Sequence, residues 1–220
     1  MSMKNNKKIL WYLIPIYLFL NTSLFSEELD ISALNIKLLQ DEEKILAEGD
    51  VVVKDQDGII IETETATYDK KENILKAEEG VKITDTKTNN KITSEKVEYD
   101  KKNEKIFVEG NVFIEEKDGV IINTESASYD NRKQIVKSDT LTKIKDRSGN
   151  SMILDMFSYS IKNQNLRSKG YIEITDNLKN KYFFDDVYID VKKNRMAGSN
   201  LKIKFDKETF GNIENDPRLV

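Results

Sequence analysis

The chain has no cysteine and no histidine, only two prolines and a single tryptophan. Without cysteine no disulfide can staple it, so its stability rests on hydrogen-bonded secondary structure and an apolar core. The joint absence of Cys and His removes the commonest zinc ligand sets, the Cys/His nucleophile pairs and the commonest general base. Positive charge is not in surplus either: 35 Lys and Arg stand against 39 Asp and Glu, which argues against a nucleic-acid partner. Long apolar runs are nearly missing. One spans residues 9–20, follows Lys4, Lys7 and Lys8, contains Pro15 and relaxes into Asn21, Thr22 and Ser23. That is the outline of a secretory signal and is short for a membrane span. Residues 1–26 are expected to be cleaved off near Ser26, with an uncleaved anchor as the other possibility. Their removal leaves 32 basic residues against 39 acidic ones, a net charge of about −7.

What the chain does have is repetition. The stretch GDVVVKDQDGIIIETETATYDKKENIL, from residue 49, returns at residue 110 as GNVFIEEKDGVIINTESASYDNRKQIV. Each copy is two steps of a unit of 30 or 31 residues. One set of positions is Ile31, Ala33, Ile36, Leu38, Ile45, Ala47, Val51 and Val53. Moved along the chain it becomes Ile61, Thr63, Ala66, Tyr68, Leu75, Ala77, Val81 and Ile83, then Ile92, Ser94, Val97, Tyr99, Ile106, Val108, Val112 and Ile114. The fourth set is Ile122, Thr124, Ala127, Tyr129, Val136, Ser138, Thr142 and Ile144, and the fifth is Met152, Leu154, Phe157, Tyr159, Leu166, Ser168, Ile172 and Ile174. A sixth starts at Tyr182, Phe184, Val187, Ile189 and Met196, then slips by one residue to Leu201, Ile203 and Phe205. None of the 40 positions in the first five sets is charged, whereas a chain that is 34% charged would place about 14 charges there at random. These side chains share one face away from water.

Within a set the spacing is two residues, the period of a strand. The phase slips by one residue between Thr63 and Ala66, Ser94 and Val97, Thr124 and Ala127, Leu154 and Phe157, and Phe184 and Val187. An extra residue of this kind is a β-bulge, which bends the strand. In the alternate strands Gly49, Gly110 and Gly170 hold an inward-phase position suited to a tight bend, while Glu79 with Gly80, and Thr140, fill that place elsewhere. Asp57-Gly58 and Asp118-Gly119 are hairpin signals, and polar runs such as YDKKEN mark the other turns. The expected fold is all-β: an antiparallel twisted β-jellyroll of about twelve bent strands, two facing sheets, open at both ends. Small inward residues such as Ala33, Ala47, Thr63, Ala66, Ser94 and Ser168 suggest a lining that leaves room. A closed sandwich core stays open as the alternative. The free edge strands, Ile31, Ala33, Ile36 and Leu38 at one end and residues 201–205 at the other, are candidates for pairing with another chain.

AEGDVVV, VEGNVFI, TESASYD and ATYDKKENILKAEEGVKI resemble the repeats of the OstA/LptA-type periplasmic domain of lipopolysaccharide transport, found in LptA, in LptC and in the N-terminal part of LptD. The likeness covers roughly residues 28–206. Asn215, Pro217, Arg218 and Leu219 are similar to the junction between the LptD jellyroll and its outer-membrane barrel, so the resemblance is strongest to the N-terminal domain of LptD, cut before the barrel. LptA- and LptC-type bridge components, and a structural β-repeat protein with a closed core, are the alternatives. The resemblance implies a signal peptide at residues 1–26, a jellyroll at 27–208 and a tail at 209–220. It implies a periplasmic, outer-membrane-associated protein that shields lipid A acyl chains in an apolar groove and passes them toward the outer membrane. The implied partners are lipopolysaccharide, neighbouring Lpt jellyrolls paired through edge strands, and an LptD barrel with an LptE-type protein if a longer chain exists. No nucleic acid, cofactor, metal or catalytic residue is expected, and no enzymatic activity.

The groove lining is expected to comprise Ile61, Ala66, Tyr68, Val81, Ile83, Ile92, Val97, Tyr99, Val112, Ile114, Ile122, Ala127, Tyr129, Leu154, Phe157, Tyr159, Ile172 and Ile174. The tyrosines Tyr68, Tyr99, Tyr129 and Tyr159 either cap strand ends, ring inward and hydroxyl to water, or touch lipid at the groove mouth. Asp55, Asp57 and Gly58 lack the later ligands of a calcium loop and are expected to form a hairpin. Glu115, Glu116 and Asp118, and the pair Asp185 and Asp186, are expected to belong to a solvated outer face and not to an acid/base pair.

Overall fold

The computed structural model describes residues 29–209, apart from positions 57, 118, 194 and 208. The expected signal segment, the tail from residue 210 on, Asp57 and Asp118 therefore lie outside the described residues. The strands are β1 (Asp30–Ser32), β2 (Asn35–Leu39), β3 (Lys44–Lys54), β4 (Ile59–Asp69), β5 (Ile74–Asp85), β6 (Asn90–Asp100), β7 (Lys105–Glu115) and β8 (Ile121–Asp130). They continue as β9 (Ile135–Ser138), β10 (Thr142–Lys145), β11 (Ser151–Ser160), β12 (Asn165–Thr175), β13 (Lys181–Asp190), β14 (Arg195–Ser199) and β15 (Lys202–Lys204).

All fifteen belong to one antiparallel meander. β1 and β2 both pair with β3, β9 and β10 both lie between β8 and β11, and β14 and β15 both pair with β13. Each of these couples is one expected strand broken at its corner, so fifteen segments make the twelve rungs that the repeat implies. The two facing layers are likewise not separate sheets. They are the two arms of a single bent sheet, hydrogen-bonded continuously from rung to rung.

The bend falls where the phase slips. On β4 the pairing with β5 jumps from Glu62 to Thr65, and on β6 the pairing with β7 jumps from Thr93 to Lys96. In the alternate rungs two successive left-handed residues make the corner: Gly49 with Asp50 (φ 77° and 46°), Glu79 with Gly80 (71° and 72°), and Gly110 with Asn111 (80° and 48°). This corrects the expected role of the glycines. A Cβ on Gly110 would stand 2.6 Å from the Cβ of Glu95, and one on Gly170 2.6 Å from the Asp155 carboxylate. Glu95 and Asp155 are bulge residues of the neighbouring rung, so glycine is needed because the corners of adjacent rungs touch, in a conformation L-residues disfavour. Between β9 and β10 no such pair exists, and the hydroxyls of Thr124, Ser138, Thr140 and Thr142 bond one another there at 3.0–3.2 Å.

The small inward residues also have a different purpose from the one expected. Ala47, Thr63, Ala66, Ser94, Ser138, Thr142 and Ser168 flank the corner and are buried. They let two arms of one strand converge; they do not widen the trough. Their hydroxyls satisfy corner carbonyls, as Ser94 does with Lys96 (3.1 Å) and Ser168 with Met156 (2.6 Å). Beyond the corner the larger residues, among them Leu75, Leu154, Leu166, Ile172 and Ile189, fill one continuous buried cluster.

Two ladders of turns close the strand ends. On one lip the backbone N–H groups of Lys70, Lys101, Asn131, Ile161 and Val191 donate to Glu43, Asn73, Glu104, Gln134 and Gln164 of the preceding turn, at 2.9–3.0 Å. On the other lip an acid recurs at Asp55, Asp85, Glu116, Asp146 and Asp176, where each turn begins. Asp85 accepts from the Lys87 N–H at 2.8 Å and Asp176 from the Leu178 N–H at 2.9 Å, the Asx geometry that stands in for a backbone turn. Asn90, Asn150 and Asn180 then tie each turn to the next, accepting from the N–H of Lys117, Asn177 and Asp206 at 2.9–3.0 Å. At the hairpin Gly58, in the left-handed region, donates its N–H to the Asp55 carbonyl at 3.3 Å, and the Asp55 N–H donates to Ile59 at 3.1 Å.

Candidate functional site: the slot between the arms

Of the eighteen expected lining residues, sixteen are buried, and Tyr68 and Tyr99 are half-buried. Facing was therefore legible throughout, but only part of this set meets empty space. Ile61, Ile83, Val97, Tyr99 and Tyr129 line a narrow cavity of about 40 Å³, together with Ile59, Ile106, Asp55, Glu104 and Asn131. The remaining residues of the set pack against one another as core.

The cavity has two walls. Ile59, Ile61 and Ile83 come from the arm next to the acidic turns of β4 and β5, and Val97, Tyr99, Ile106 and Tyr129 from the other arm of β6, β7 and β8. The facing arms are thus offset by several rungs, as the twist of a strongly bent sheet requires. At the mouth Asp55 belongs to one lip and Glu104 and Asn131 to the other.

The tyrosines behave as caps with a refinement. Their rings point inward, but the hydroxyls are held by the turns: Tyr68 donates to Asn73 at 2.6 Å and Tyr129 to Asn131 at 2.9 Å. Burial, reinforced by the negative charges of Asp130 and Glu104, pushes the Tyr129 hydroxyl up to about 12. Burial with Asp176 beside it does the same for Tyr182, whose hydroxyl donates to Asp176 at 3.1 Å. Both remain neutral donors at ordinary pH, so the charged groups of the cavity lining are Asp55 and Glu104 at its mouth.

The edge strands are where the structure departs most from inward burial. Ile36 pairs with Ala47 and Leu38 with Ile45, which puts them on the inner face, yet Ile36 is 46% and Leu38 62% exposed. Ile203, opposite Tyr182, is also exposed, as is Leu201 beside it. The reason is that no further rung is present at either end of the described residues. Ile31 and Ala33 are partly buried against the core. The expected edge residues thus form apolar ends of the trough.

Asp185 and Asp186 sit at a corner, bonded to Asn200 and Ser199, and Glu116 is a buried member of the acidic turn ladder. The ladder itself escaped sequence reasoning. Its signal was available as an acid at 55, 85, 116, 146 and 176, but acids at turns are common enough in so polar a chain that the period was masked.

A bent antiparallel meander with a mainly apolar slot between its arms and apolar inner surface at both ends defines a β-jellyroll of the kind that can cover a hydrocarbon chain. The comparison with known protein families agrees in class. A model of the family described as "Lipopolysaccharide-assembly, LptC-related" matches residues 4–106 and again 86–164, and the chain belongs to that family. It is a periplasmic lipopolysaccharide-transport domain. Among solved structures, the chain is similar to the crystal structure of LptH from Pseudomonas aeruginosa, "the LptA homologous periplasmic component of the conserved lipopolysaccharide transport device". That match has 10% identity, covers 82% of this chain and 96% of that one, and has a TM-score of 0.25. No curated protein sequence matches the chain.

Proposed function

We propose that the slot shields the acyl chains of lipopolysaccharide and that the apolar trough ends dock neighbouring jellyrolls of the same transport system, making the chain one segment of a bridge. The observation that carries this is the mainly apolar slot walled by Ile59, Ile61, Ile83, Val97, Tyr99, Ile106 and Tyr129, with Asp55 and Glu104 at its mouth. Its 40 Å³ holds a water or two and no acyl chain, so loading must part the arms. The fold allows that. Among the described residues strand pairing runs only between consecutive rungs, so the arms meet through side chains and can open about their corners without breaking the ladder. Each methylene transferred from water contributes ~0.8 kcal/mol toward the opening. A wall of similar aliphatic contacts, with no charged anchor among them, lets a chain move on without a deep trap.

Catalysis has no part in this role, and direction along the bridge is supplied from outside the domain. The family match supports an LptC-type bridge component. Asn215, Pro217, Arg218 and Leu219, which support the LptD-type and outer-membrane-associated alternative, lie outside the described residues. A photoreactive residue at Ile83, Val97 or Tyr99 is expected to capture lipopolysaccharide, and one at the outward Glu62 or Lys96 is not. Equal capture at both groups refutes the slot.

A further inference from the structure

The trough is not uniform along its length, and the difference lies in one repeated turn position. Lys70, Lys101, Asn131, Ile161 and Val191 occupy equivalent places, each donating its N–H to the turn before it at 2.9–3.0 Å. With the backbone held the same way, the side chains can be compared directly. Lys70 is exposed, Lys101 is half-buried, and Asn131 lines the cavity mouth. Ile161 is only 8% exposed and belongs to the buried core, with Val191 packed against that core. The tyrosines two residues earlier follow the same trend: Tyr68 and Tyr99 are half-buried, Tyr129 and Tyr159 buried. The cavity reaches Asn131 and includes no residue beyond it.

We propose that Ile161, backed by Val191, sets the downstream end of the chain-binding slot. This rests on the acyl-chain role of the slot proposed above. A hydrocarbon chain entering between β4 and β8 ends beside Asn131, because two rungs on, roughly 10 Å away, an aliphatic side chain replaces the polar turn residue and seals the mouth. An apolar plug suits the position. It closes the arms over the downstream core at no desolvation penalty, and a hydrocarbon chain can displace it by exchanging one aliphatic contact for another. Ile161 therefore determines how far along the trough a chain extends once the arms have parted for it, and where it must wait before it moves on toward β13.

Because the chain lacks cysteine, single cysteines at Lys71, Lys102, Lys162 and Lys192 can each carry a fluorophore without background. All four are exposed and sit one residue after Lys70, Lys101, Ile161 and Val191. The probe is stearic acid bearing a nitroxide near its methyl end, added to the full chain. Quenching is expected at position 102, in the turn that brings Glu104 to the cavity mouth, and several-fold less at 162 and 192, with 71, whose turn does not line the cavity, as the upstream reference. Ile161→Asn is expected to raise quenching at 162, and the reverse change, Asn131→Ile, to lower it at 102. Should Ile161→Asn fail to fold, Asn131→Ile decides: unchanged quenching at 102 overturns the stop. Equal quenching at all four positions in the unmodified sequence overturns the stop and leaves the slot standing. Quenching at none overturns the slot itself, and the stop with it.

Discussion

Val97→Asp measures whether the inner face is as dry as it looks. Val97 is 3% exposed, pairs with Ala77 and Val108 on the neighbouring rungs and forms part of the cavity wall. Losing its apolar burial removes about 1.5–2 kcal/mol. A carboxyl group without a designed partner adds about 2–3 kcal/mol of desolvation. The sum, about 3.5–5 kcal/mol, is a large part of the 5–15 kcal/mol typical of a domain. The pH dependence carries its own sign. Burial raises the folded-state pKa of the new Asp above its unfolded value of about 3.9. The variant therefore stays closest to the parent below that value and loses ground as pH rises toward the folded pKa, at ~1.4 kcal/mol per unit. The adjacent Glu98 is the control. It faces outward and pairs with Lys76 at 3.1 Å, both side chains about half exposed. Glu98→Lys breaks that pair and sets two lysines side by side, a loss below about 1 kcal/mol. Urea unfolding followed by far-ultraviolet circular dichroism reads both, since Trp11, the single tryptophan, lies outside the described residues. Similar losses for the two variants, or a Val97→Asp penalty that does not grow with pH, refute the assignment of faces.

The corner geometry predicts that Gly110→Ala destabilises by about 2 kcal/mol or more, because a left-handed φ is combined with a Cβ collision. Gly80→Asn, at φ 72° with nothing within 4 Å of the new Cβ, changes stability by less than about 1 kcal/mol; the same urea titration ranks them. Asn150→Ala removes a buried amide that donates to Asp146 at 2.7 Å and accepts from Asn177 at 2.9 Å. It is expected to lose about 2–3 kcal/mol and to speed hydrogen exchange at the Asn177 N–H. At alkaline pH the buried Tyr129 and half-buried Tyr182 keep their protons up to about 12, whereas an unfolded chain releases them near 10. The stability they contribute is complete below pH 10 and declines between pH 10 and 12, a fall that Tyr129→Phe reduces in a thermal-melt series.

Much of this was legible in the residues because a strand's facing is a local property. Two-residue spacing fixed which side chains of β4, β6, β8 and β11 turn inward, and the phase slips located the bends of those strands. Glycine's purpose was misjudged for a physical reason. The contact that demands it at Gly110, with Glu95, comes from the neighbouring rung fifteen residues earlier, and spacing within one strand cannot show it. The small residues were misjudged likewise, since a serine or alanine looks the same whether it widens a groove or lets two arms converge. Ile36 and Leu38 carry a perfect inward pattern yet lie exposed, because burial depends on a next rung and none covers them among the described residues.

The sequence by itself determined the rungs, their antiparallel order, the uncharged inner face and the apolar edges, since each arises from side-chain period and turn chemistry over a few residues. Only the tertiary structure decided that the two layers are arms of one sheet, that the arms close to a slot too narrow for a resting acyl chain, and that the slot reaches Asn131 while Ile161 is buried in the core two turns further on. Those features depend on the angle at which distant rungs face one another, an angle set by the summed twist and bend of the whole meander and encoded in no single repeat.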